Sequence, residues 1–255
     1  MRGLIKNEML KFFTNRKLYA FLLIVFILYM VPVVMTFVVG MRTLDGQVFP
    51  LTMHGIVVSW AVPVFLIMLV AETFTEEYSS GTLSLSLVHP VSRTQFIVAK
   101  IISLFFIIFF LLFFALILAY GLGILFFGWS GQFMQQGIAY TAWQGISITV
   151  ISFLAPVFPL LSFAAFIILV ALLLSSSAAV VGLSMAVLLS YTMLDLIFSR
   201  LQPYLLSTYF ISFGRLLTFP AGGESLRFAV IFIGSHGLIF VLGALLHFNR
   251  KDILN

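Results

Sequence analysis

The sequence predicts an all-α polytopic membrane protein with six transmembrane helices. Hydrophobic residues make up 62% of the 255 residues and charged residues only 8%, whereas soluble domains average about 25% charged residues. So few charged groups cannot cover a globule with a hydrated surface, and several apolar runs reach the roughly 20 residues that a helix needs to cross a bilayer. Basic residues flank these runs, which is how membrane orientation is encoded.

The segment 1–17 is basic and amphipathic. Ile5, Met9, Phe12 and Phe13 share one helical face, and polar side chains cover most of the other. We expect a helix along the cytoplasmic membrane surface, with basic groups toward anionic lipid; a plain basic flank that sets topology is the alternative. The next apolar run is too long for the hydrophobic region of a signal peptide, and we interpret it as a retained span.

Six segments are apolar and long enough to span a membrane. They form the predicted transmembrane domain, residues 18–248, which a cytoplasmic tail, 249–255, follows. The uncharged stretch 101–194 is too long for one span, and a loop at 128–145 and three serines at 175–177 divide it. The six predicted spans are Leu18–Val39, Gly55–Ala71, Phe96–Phe127, Gly145–Leu174, Ser177–Leu194 and Phe228–Phe248.

The distribution of Lys and Arg predicts the orientation of the spans. An even number of spans places both termini on one side of the membrane. Segments 1–17, 72–100 and 249–255 hold nine of the 13 basic residues, so the positive-inside rule places both termini and the 72–95 loop in the cytoplasm. The basic pI of 9.6 therefore reflects topology and not nucleic-acid binding, and we expect a multi-pass protein of the plasma membrane.

The connection between spans two and three concentrates charge in an apolar chain. Glu72, Glu76 and Glu77 continue the helix that leaves span two, and Gly81 is placed to cap it. A capping box of the form S-x-x-Q starts the next helix at Ser92. Leucines alternate with polar residues between these two signals, and such an amphipathic loop is typical of a docking site for a soluble partner.

This loop resembles that of a known family. The pattern F-x-E-E-x-x-x-G-T-L, followed by P-V-S-R-x-x-F-x-x-A-K, is similar to the cytoplasmic loop of ABC-2 type transport permeases, the membrane subunits of a class of ATP-binding-cassette exporters. In that family the loop contains a coupling helix that sits in a groove of the ATPase subunit. A solvated loop that only sets topology is the alternative. The resemblance assigns coupling, or the framework for it, to Glu76, Glu77, Gly81, Thr82, Pro90 and Arg93.

The resemblance also implies partners and a substrate class. The chain contains no phosphate-binding loop of the form G-x-x-x-x-G-K-[ST], so ATP and Mg would bind a separate cytoplasmic ABC ATPase subunit. A second permease copy or a close paralogue would complete the transporter, which would export its substrate. We expect no Asp, Glu, Lys or Arg in the apolar cores, which disfavours ion coupling and favours an amphipathic or apolar substrate such as a peptide, an antibiotic or a lipid-like molecule. We expect no catalytic residue and no cofactor bound by this chain.

Small residues recur at every fourth position along span five, a spacing that permits close helix approach. Packing within the subunit, a dimer seam and a cavity wall all explain this spacing. In span four, Pro156 and Pro159 are expected to produce a kink. The small residues of span five are Ala178, Gly182, Ala186 and Ser190.

Residues 195–227 form a long connection on the outer side. The segment is too apolar for a free loop, and Pro203, Gly214 and Pro220 interrupt it. We interpret it as re-entrant or interfacial helices that form a lid over the outer mouth, and a plain surface cover is the alternative.

Other protein classes fit the sequence less well. The lack of cysteine excludes disulfides, zinc–thiolate sites and thiol catalysis. An intramembrane serine protease would pair Ser130, in a G-x-S-G match, with His236, but Ser130 falls in a loop and His236 lies about 12 Å inside its span. A haem or quinone protein would need histidines at matching depths, and the four histidines lie near different faces. A non-transporting immunity or sensor subunit on the same scaffold stays open. The four histidines are His54, His89, His236 and His247.

Overall fold

The computed structural model describes residues 2–39, 45–79, 92–129, 131–135, 138–174, 176–219 and 223–250. These residues are helical almost throughout. A π-helix, Val57–Ala61, connects α3 to α4, a 3-10 helix, Ser199–Tyr204, follows α8, and a hairpin of β1 (Gln132–Gln135) and β2 (Ile138–Thr141) precedes α6. The α-helices are α1 (Arg2–Thr14), α2 (Arg16–Val39), α3 (Phe49–Ile56), α4 (Val62–Ser79), α5 (Arg93–Phe127), α6 (Ala142–Leu154), α7 (Val157–Leu173), α8 (Ser177–Ile197), α9 (Thr208–Thr218) and α10 (Gly223–Arg250).

The six predicted spans are confirmed, since six helical stretches are long and apolar enough to cross a membrane among the residues that the structure describes. Spans two and four each combine more than one helical element. The chain is therefore an all-α membrane protein. The spans are Arg16–Val38, Phe49–Phe74, Thr94–Phe127, Ala142–Leu173, Ser177–Ile197 and Ser225–Arg250.

The two prolines of span four have different effects. The chain turns at Pro156, which lacks the amide hydrogen that would continue α6, and span four consists of two helices. Pro159 lies in the first turn of α7, where the amide groups have no partner within the helix. The interruption of span four therefore falls at Ala155 and Pro156, and Pro159 lies inside the helix that follows it.

The connection 128–145, expected to be a loop, contains the β-hairpin. Its two strands pair antiparallel, and Phe133 is buried. A capping box starts α6, because Gln144 N donates to Thr141 Oγ1 at 3.4 Å and Thr141 N donates to Gln144 Oε1 at 3.0 Å. Span four therefore begins at Ala142, earlier than predicted.

Contacts between helix termini define two ends of the bundle. At the loop end, Phe96 near the start of α5 stacks on Phe248 near the end of α10, and the termini that flank residues 80–91 lie here. At the hairpin end, Phe49 of α3 contacts Phe127 at the end of α5, and the β-hairpin lies here. The first and last described helices both reach the loop end, as an even number of spans requires.

Span four lies at the centre of the bundle, and spans five and six lie at its edge. In the most apolar stretch of span four 72% of the residues are buried, against 17% in spans five and six. α7 packs along α10, where Ser162 Oγ and His236 Nδ1 are 3.0 Å apart in a hydrogen bond. The outer faces of α8 and α10 carry exposed apolar side chains such as Leu183 and Leu242, which suits contact with lipid or another subunit.

Candidate functional site

The candidate site is the loop end, where α4 ends at Ser79 and α5 begins at Arg93. The predicted capping box is confirmed: Gln95 N donates to Ser92 Oγ at 3.2 Å, and Ser92 N donates to Gln95 Oε1 at 3.1 Å. These bonds satisfy two backbone amides that the helix itself leaves without a partner. The chain therefore re-enters the bundle at a defined residue.

The residues that the resemblance assigns to coupling lie on these helix ends and between them. Glu76 and Glu77 belong to the last turns of α4, and Arg93 is the first residue of α5. Their role in coupling stays a prediction. Outside the described residues lie Gly81, Thr82 and Pro90, together with the expected helix cap and the alternating leucines.

A buried ion pair anchors α1 to the start of α5. Glu8 Oε2 accepts a hydrogen bond from Lys100 Nζ at 2.9 Å, and Glu8 Oε1 accepts one from Lys11 Nζ at 3.2 Å. Only 3% of the Lys100 side chain is exposed. Phe12, one turn beyond Glu8, is buried on the same face, while Phe13 is exposed. The predicted N-terminal helix is present, but the face that packs on the bundle carries a carboxylate.

Lys100 extends this contact to a third helix. Its ammonium lies 4.9 Å from the ring centroid of Phe74 and 5.1 Å from that of Phe96, and ring faces at such distances attract a desolvated cation. Phe74 belongs to α4, so Lys100 connects α1, α4 and α5. The expectation of no Asp, Glu, Lys or Arg within the spans is therefore wrong for Lys100, which lies inside span three near its loop end.

The charges around Glu8 control its protonation. Burial by itself would raise the pKa of the Glu8 carboxyl, but the attraction and hydrogen bonds of Lys100 and Lys11 outweigh burial, and the pKa lies below the ordinary value of 4.5. Glu8 is therefore ionised at neutral pH, and the contact between α1 and α5 is a charged one.

A second ion pair joins α2 to the end of span two. Lys17 Nζ bonds to Glu72 Oε1, and the two side chains are 54% and 22% exposed. Water and salt screen a pair with this exposure, so it stabilises the structure less than the pair of Glu8 and Lys100. Together the two pairs connect α1, α2, α4 and α5 at the base of the 80–91 connection.

A cavity of about 600 Å³ lies between α1, α4 and α5 at this junction. Its wall combines charged groups, such as Glu8 and Lys100, with aromatic rings, such as Phe74 and Phe96. A wall of this kind can contact a peptide segment that carries both polar and apolar side chains.

Sequence reasoning missed both Glu8 and the structural role of Lys100. Glu8 is the one acidic residue among the first 44 residues, which contain six basic residues. Lys100 is the basic residue that reaches furthest into an apolar run in the first half of the chain. Each residue is therefore an exception to the composition around it. An acidic residue in one segment and a basic residue in the other was the signal that could have indicated an ion pair.

The small residues of span five lie on an exposed face of α8. Ala178, Gly182, Ala186 and Ser190 are all exposed, and a Cβ on Gly182 would meet no described atom within 4 Å. Packing within the described part of the subunit therefore does not use this face. Its use as a dimer seam or a cavity wall stays a prediction.

The connection 195–227, predicted to lie on the outer side, contains two short helices at the hairpin end, Ser199–Tyr204 and Thr208–Thr218. Pro203 lies in the 3-10 helix. Gly214 of α9 approaches α6 so closely that a Cβ there would lie 2.6 Å from Ser152 Cα. Pro220 lies outside the described residues. Short packed helices agree with the sequence interpretation, and their role as a lid stays a prediction.

Two of the four histidines, His54 and His236, make hydrogen bonds within the bundle. His236 bonds to Ser162 within the bundle, as expected for a packed histidine, and Ser130 lies outside the described residues. The ring of His54 lies at the hairpin end, where Nε2 is 2.7 Å from the Ser152 carbonyl oxygen. Among the residues that the structure describes, no group of three or more His, Cys, Asp or Glu side chains could hold a metal ion.

Comparison with known families identifies a relationship over most of the chain. A family model described as ABC-2 family transporter protein matches residues 4–195, which are 192 of the 255 residues. The matched region runs from α1 through span five and includes both ion pairs and the connection between α4 and α5. A comparison with curated proteins gives no match.

Proposed function

We propose that this chain, which belongs to the ABC-2 family of transporter proteins, is the permease subunit of an exporter that a separate ATPase subunit drives. Membership of the family makes the chain a membrane component of an ABC transporter. The proposal adds a cytoplasmic ATPase partner, a second permease copy or paralogue, and an amphipathic or apolar substrate.

The observation that carries the proposal is the ion-paired junction at the loop end. The connection 80–91 is flanked by α4 and α5, and Lys100 joins these two helices to each other and to α1. A force applied to the connection would therefore reach three helices together. Lys17 and Glu72 extend the same path to α2.

Coupling of ATP hydrolysis to transport needs such a path. In the proposed mechanism, nucleotide binding closes two ATPase subunits, and each moves the 72–95 segment of one permease chain. Glu76, Glu77 and Arg93 lie on the helix ends that receive this motion, and their charges would select the docking register. The ATP and Mg belong to the partner, because the chain contains no phosphate-binding loop.

The composition of the spans supports the substrate class. Residues 101–194 contain no charged residue, and ion-coupled pathways are normally marked by ionisable groups within the membrane. Lys100 and Glu8, the buried charges at the loop end, are paired with each other and packed between helices. A pathway through the remaining spans would therefore favour an apolar or amphipathic molecule.

The exposed small-residue face of α8 supports a second permease copy. Small side chains at every fourth position permit close approach of another helix, and in the described chain this face is exposed. The positive-inside rule supports placing the loop end, and both termini with it, in the cytoplasm.

The test is a charge reversal at the coupling positions. Glu76→Arg with Glu77→Arg is expected to leave folding and membrane insertion intact but to abolish stimulation of transport by ATP. The matched control is Arg200→Glu with Arg227→Glu, which changes two exposed charges at the hairpin end and should retain transport. Co-purification of an ATPase and transport into inverted vesicles are the two measurements.

Each outcome has a defined meaning. Normal ATPase assembly and transport in the Glu76 and Glu77 variant would refute the coupling assignment. An ATPase that binds the wild-type chain without any transport would instead favour the immunity or sensor role.

A further inference from the structure

An apolar groove of about 520 Å³ runs between α2 and span two on the surface of the bundle. Phe21 and Phe65 form its floor, where their rings stack at 4.3 Å, and both are buried. Ile24, Trp60 and Met68 line its sides and remain partly exposed, Trp60 to 37%. The groove therefore opens laterally, toward the surroundings of the two spans.

The groove is at least as deep as one lipid leaflet. On α2 it extends from Lys17 to Leu28, which is about 16 Å at 1.5 Å per residue. On the other wall it extends from Glu72 to Ile56, about 24 Å by the same rise. Since the hydrocarbon core of a bilayer is about 30 Å thick, one leaflet contributes about half of that depth. The groove thus fits an acyl chain that enters from the loop end.

The mouth of the groove carries both signs of charge. The ion pair of Lys17 and Glu72 lies there, and these are the two charged residues that line the groove. Elsewhere the described lining is apolar except for Asn15, which lies beside the same mouth. This arrangement places polar groups at the depth of lipid headgroups and hydrocarbon below them.

We propose that the groove binds one phospholipid with a zwitterionic amine headgroup, in the leaflet on the side of the N-terminus. One acyl chain fills the groove, the phosphate lies beside the Lys17 ammonium, and the headgroup ammonium lies beside the Glu72 carboxylate. An anionic headgroup satisfies Lys17 but brings a second negative charge to Glu72. A primary ammonium donates up to three hydrogen bonds to a carboxylate, which a quaternary choline cannot do. The site is thus selective for headgroups and not only for apolar chains.

This inference does not depend on the ATPase partner. It concerns the resting chain in a bilayer, and it holds whether or not residues 72–95 couple ATP hydrolysis to transport. Loss of lipid selectivity and loss of transport are therefore separate results.

Trp60 supplies a built-in reporter for the groove. The chain has three tryptophans, and Trp129→Phe with Trp143→Phe leaves Trp60 as the only one. Bromine atoms on an acyl chain quench tryptophan fluorescence on contact. The protein is reconstituted in phosphatidylcholine vesicles that contain increasing fractions of brominated phosphatidylethanolamine or brominated phosphatidylglycerol.

Brominated phosphatidylethanolamine is expected to reach half-maximal quenching at about a threefold lower mole fraction than brominated phosphatidylglycerol, the factor that one exposed ion pair contributes. Lys17→Met with Glu72→Gln is expected to remove this preference while quenching persists. Ala61→Phe, which places a ring in the groove, is expected to reduce quenching by both lipids.

Three results would overturn the proposal. The first is equal quenching by the two lipids in the otherwise wild-type protein. The second is a preference that survives neutralisation of Lys17 and Glu72. The third is no quenching by either lipid, which would show that a second copy of the chain or another protein covers the groove. Circular dichroism of every variant confirms that the helices remain formed.

Discussion

The two ends of the bundle are held together by different physical means. At the loop end, ion pairs and cation–π contacts join the helices, with Lys100 and Glu8 at the centre. At the hairpin end, the helices meet through backbone contacts and hydrogen bonds to carbonyl oxygens. There Gln47 Nε2 donates to Ala142 O at 2.9 Å, and a Cβ on Gly123 would lie 2.6 Å from the Gly46 carbonyl oxygen.

The difference shows how each end can move. Side chains with charges can keep a contact while the helices shift by a fraction of an ångström, because long Lys and Glu side chains adjust. Backbone groups in direct contact cannot adjust, since nothing between them can change its rotamer. We therefore expect the loop end to tolerate small helix shifts better than the hairpin end.

The largest expected effect is loss of the buried pair at the loop end. Glu8→Gln removes the carboxylate from a nearly buried ammonium, and breaking such a pair costs about 3 kcal/mol. The loss of stability is measured by thermal unfolding in detergent, in which the fraction of protein that remains monodisperse is recorded at each temperature. Glu8→Leu with Lys100→Met removes both charges and should recover most of it, because no buried charge is left without its partner. Equal destabilisation in the single and double variants would contradict this account.

The backbone contact at the hairpin end gives the next largest effect. Gly123→Ala places a Cβ against the Gly46 carbonyl oxygen, and overpacking of this kind costs about 2 kcal/mol. Gly121→Ala is the matched control on the same helix, because a Cβ there meets no described atom within 4 Å. The same unfolding assay should separate the two variants, and equal stability would show that the helices can move apart freely at this end.

The pH dependence of stability distinguishes the ends further. The pKa of Glu8 is lower in the folded chain than its ordinary value of 4.5, so its contribution is present above that value and is lost as the pH falls through the folded pKa. We expect the stability difference between wild type and Glu8→Gln to be constant from pH 7 to about 5 and to shrink below pH 4.5. A difference that grows on acidification would have the wrong sign for an ionised carboxylate.

The smallest effect is expected for the exposed pair at the same end. Lys17→Met with Glu72→Gln should cost less than about 1 kcal/mol, because solvent screens a pair of this exposure. The cost should fall further in 1 M salt, where the Debye length is about 3 Å. Unfolding at low and high salt measures this, and a loss as large as that of Glu8→Gln would remove the distinction between the two pairs.

Much of the architecture could be predicted from local patterns in the sequence. The length of apolar runs predicts the six spans, because the bilayer thickness sets the number of residues. The Ser92–Gln95 capping box was visible because capping is a contact between residues three apart. The β-hairpin in 128–145 was missed, since its polar and aromatic residues match a loop at the membrane surface as well as a strand pair.

The candidate site was predictable only in part. Glu76, Glu77 and Arg93 were identified through resemblance to a family, and the structure places them on the two helix ends. Glu8 lies 92 residues from Lys100 in the sequence, and no local pattern relates them. The sequence also could not predict whether the small-residue face of α8 is exposed, because the spacing of small residues is the same whether or not a neighbouring helix lies against it.

The sequence by itself determined that this protein lies in a membrane, how many spans it has, how long they are and where its charge is concentrated. These properties depend on composition and on contacts within a turn or two of helix. Only the tertiary structure decided that Lys100 is buried against Glu8, that Pro156 breaks span four while Pro159 does not, and that the groove between α2 and span two ends at Lys17 and Glu72. Such contacts join distant parts of the chain, and their energies exist only once the helices have packed.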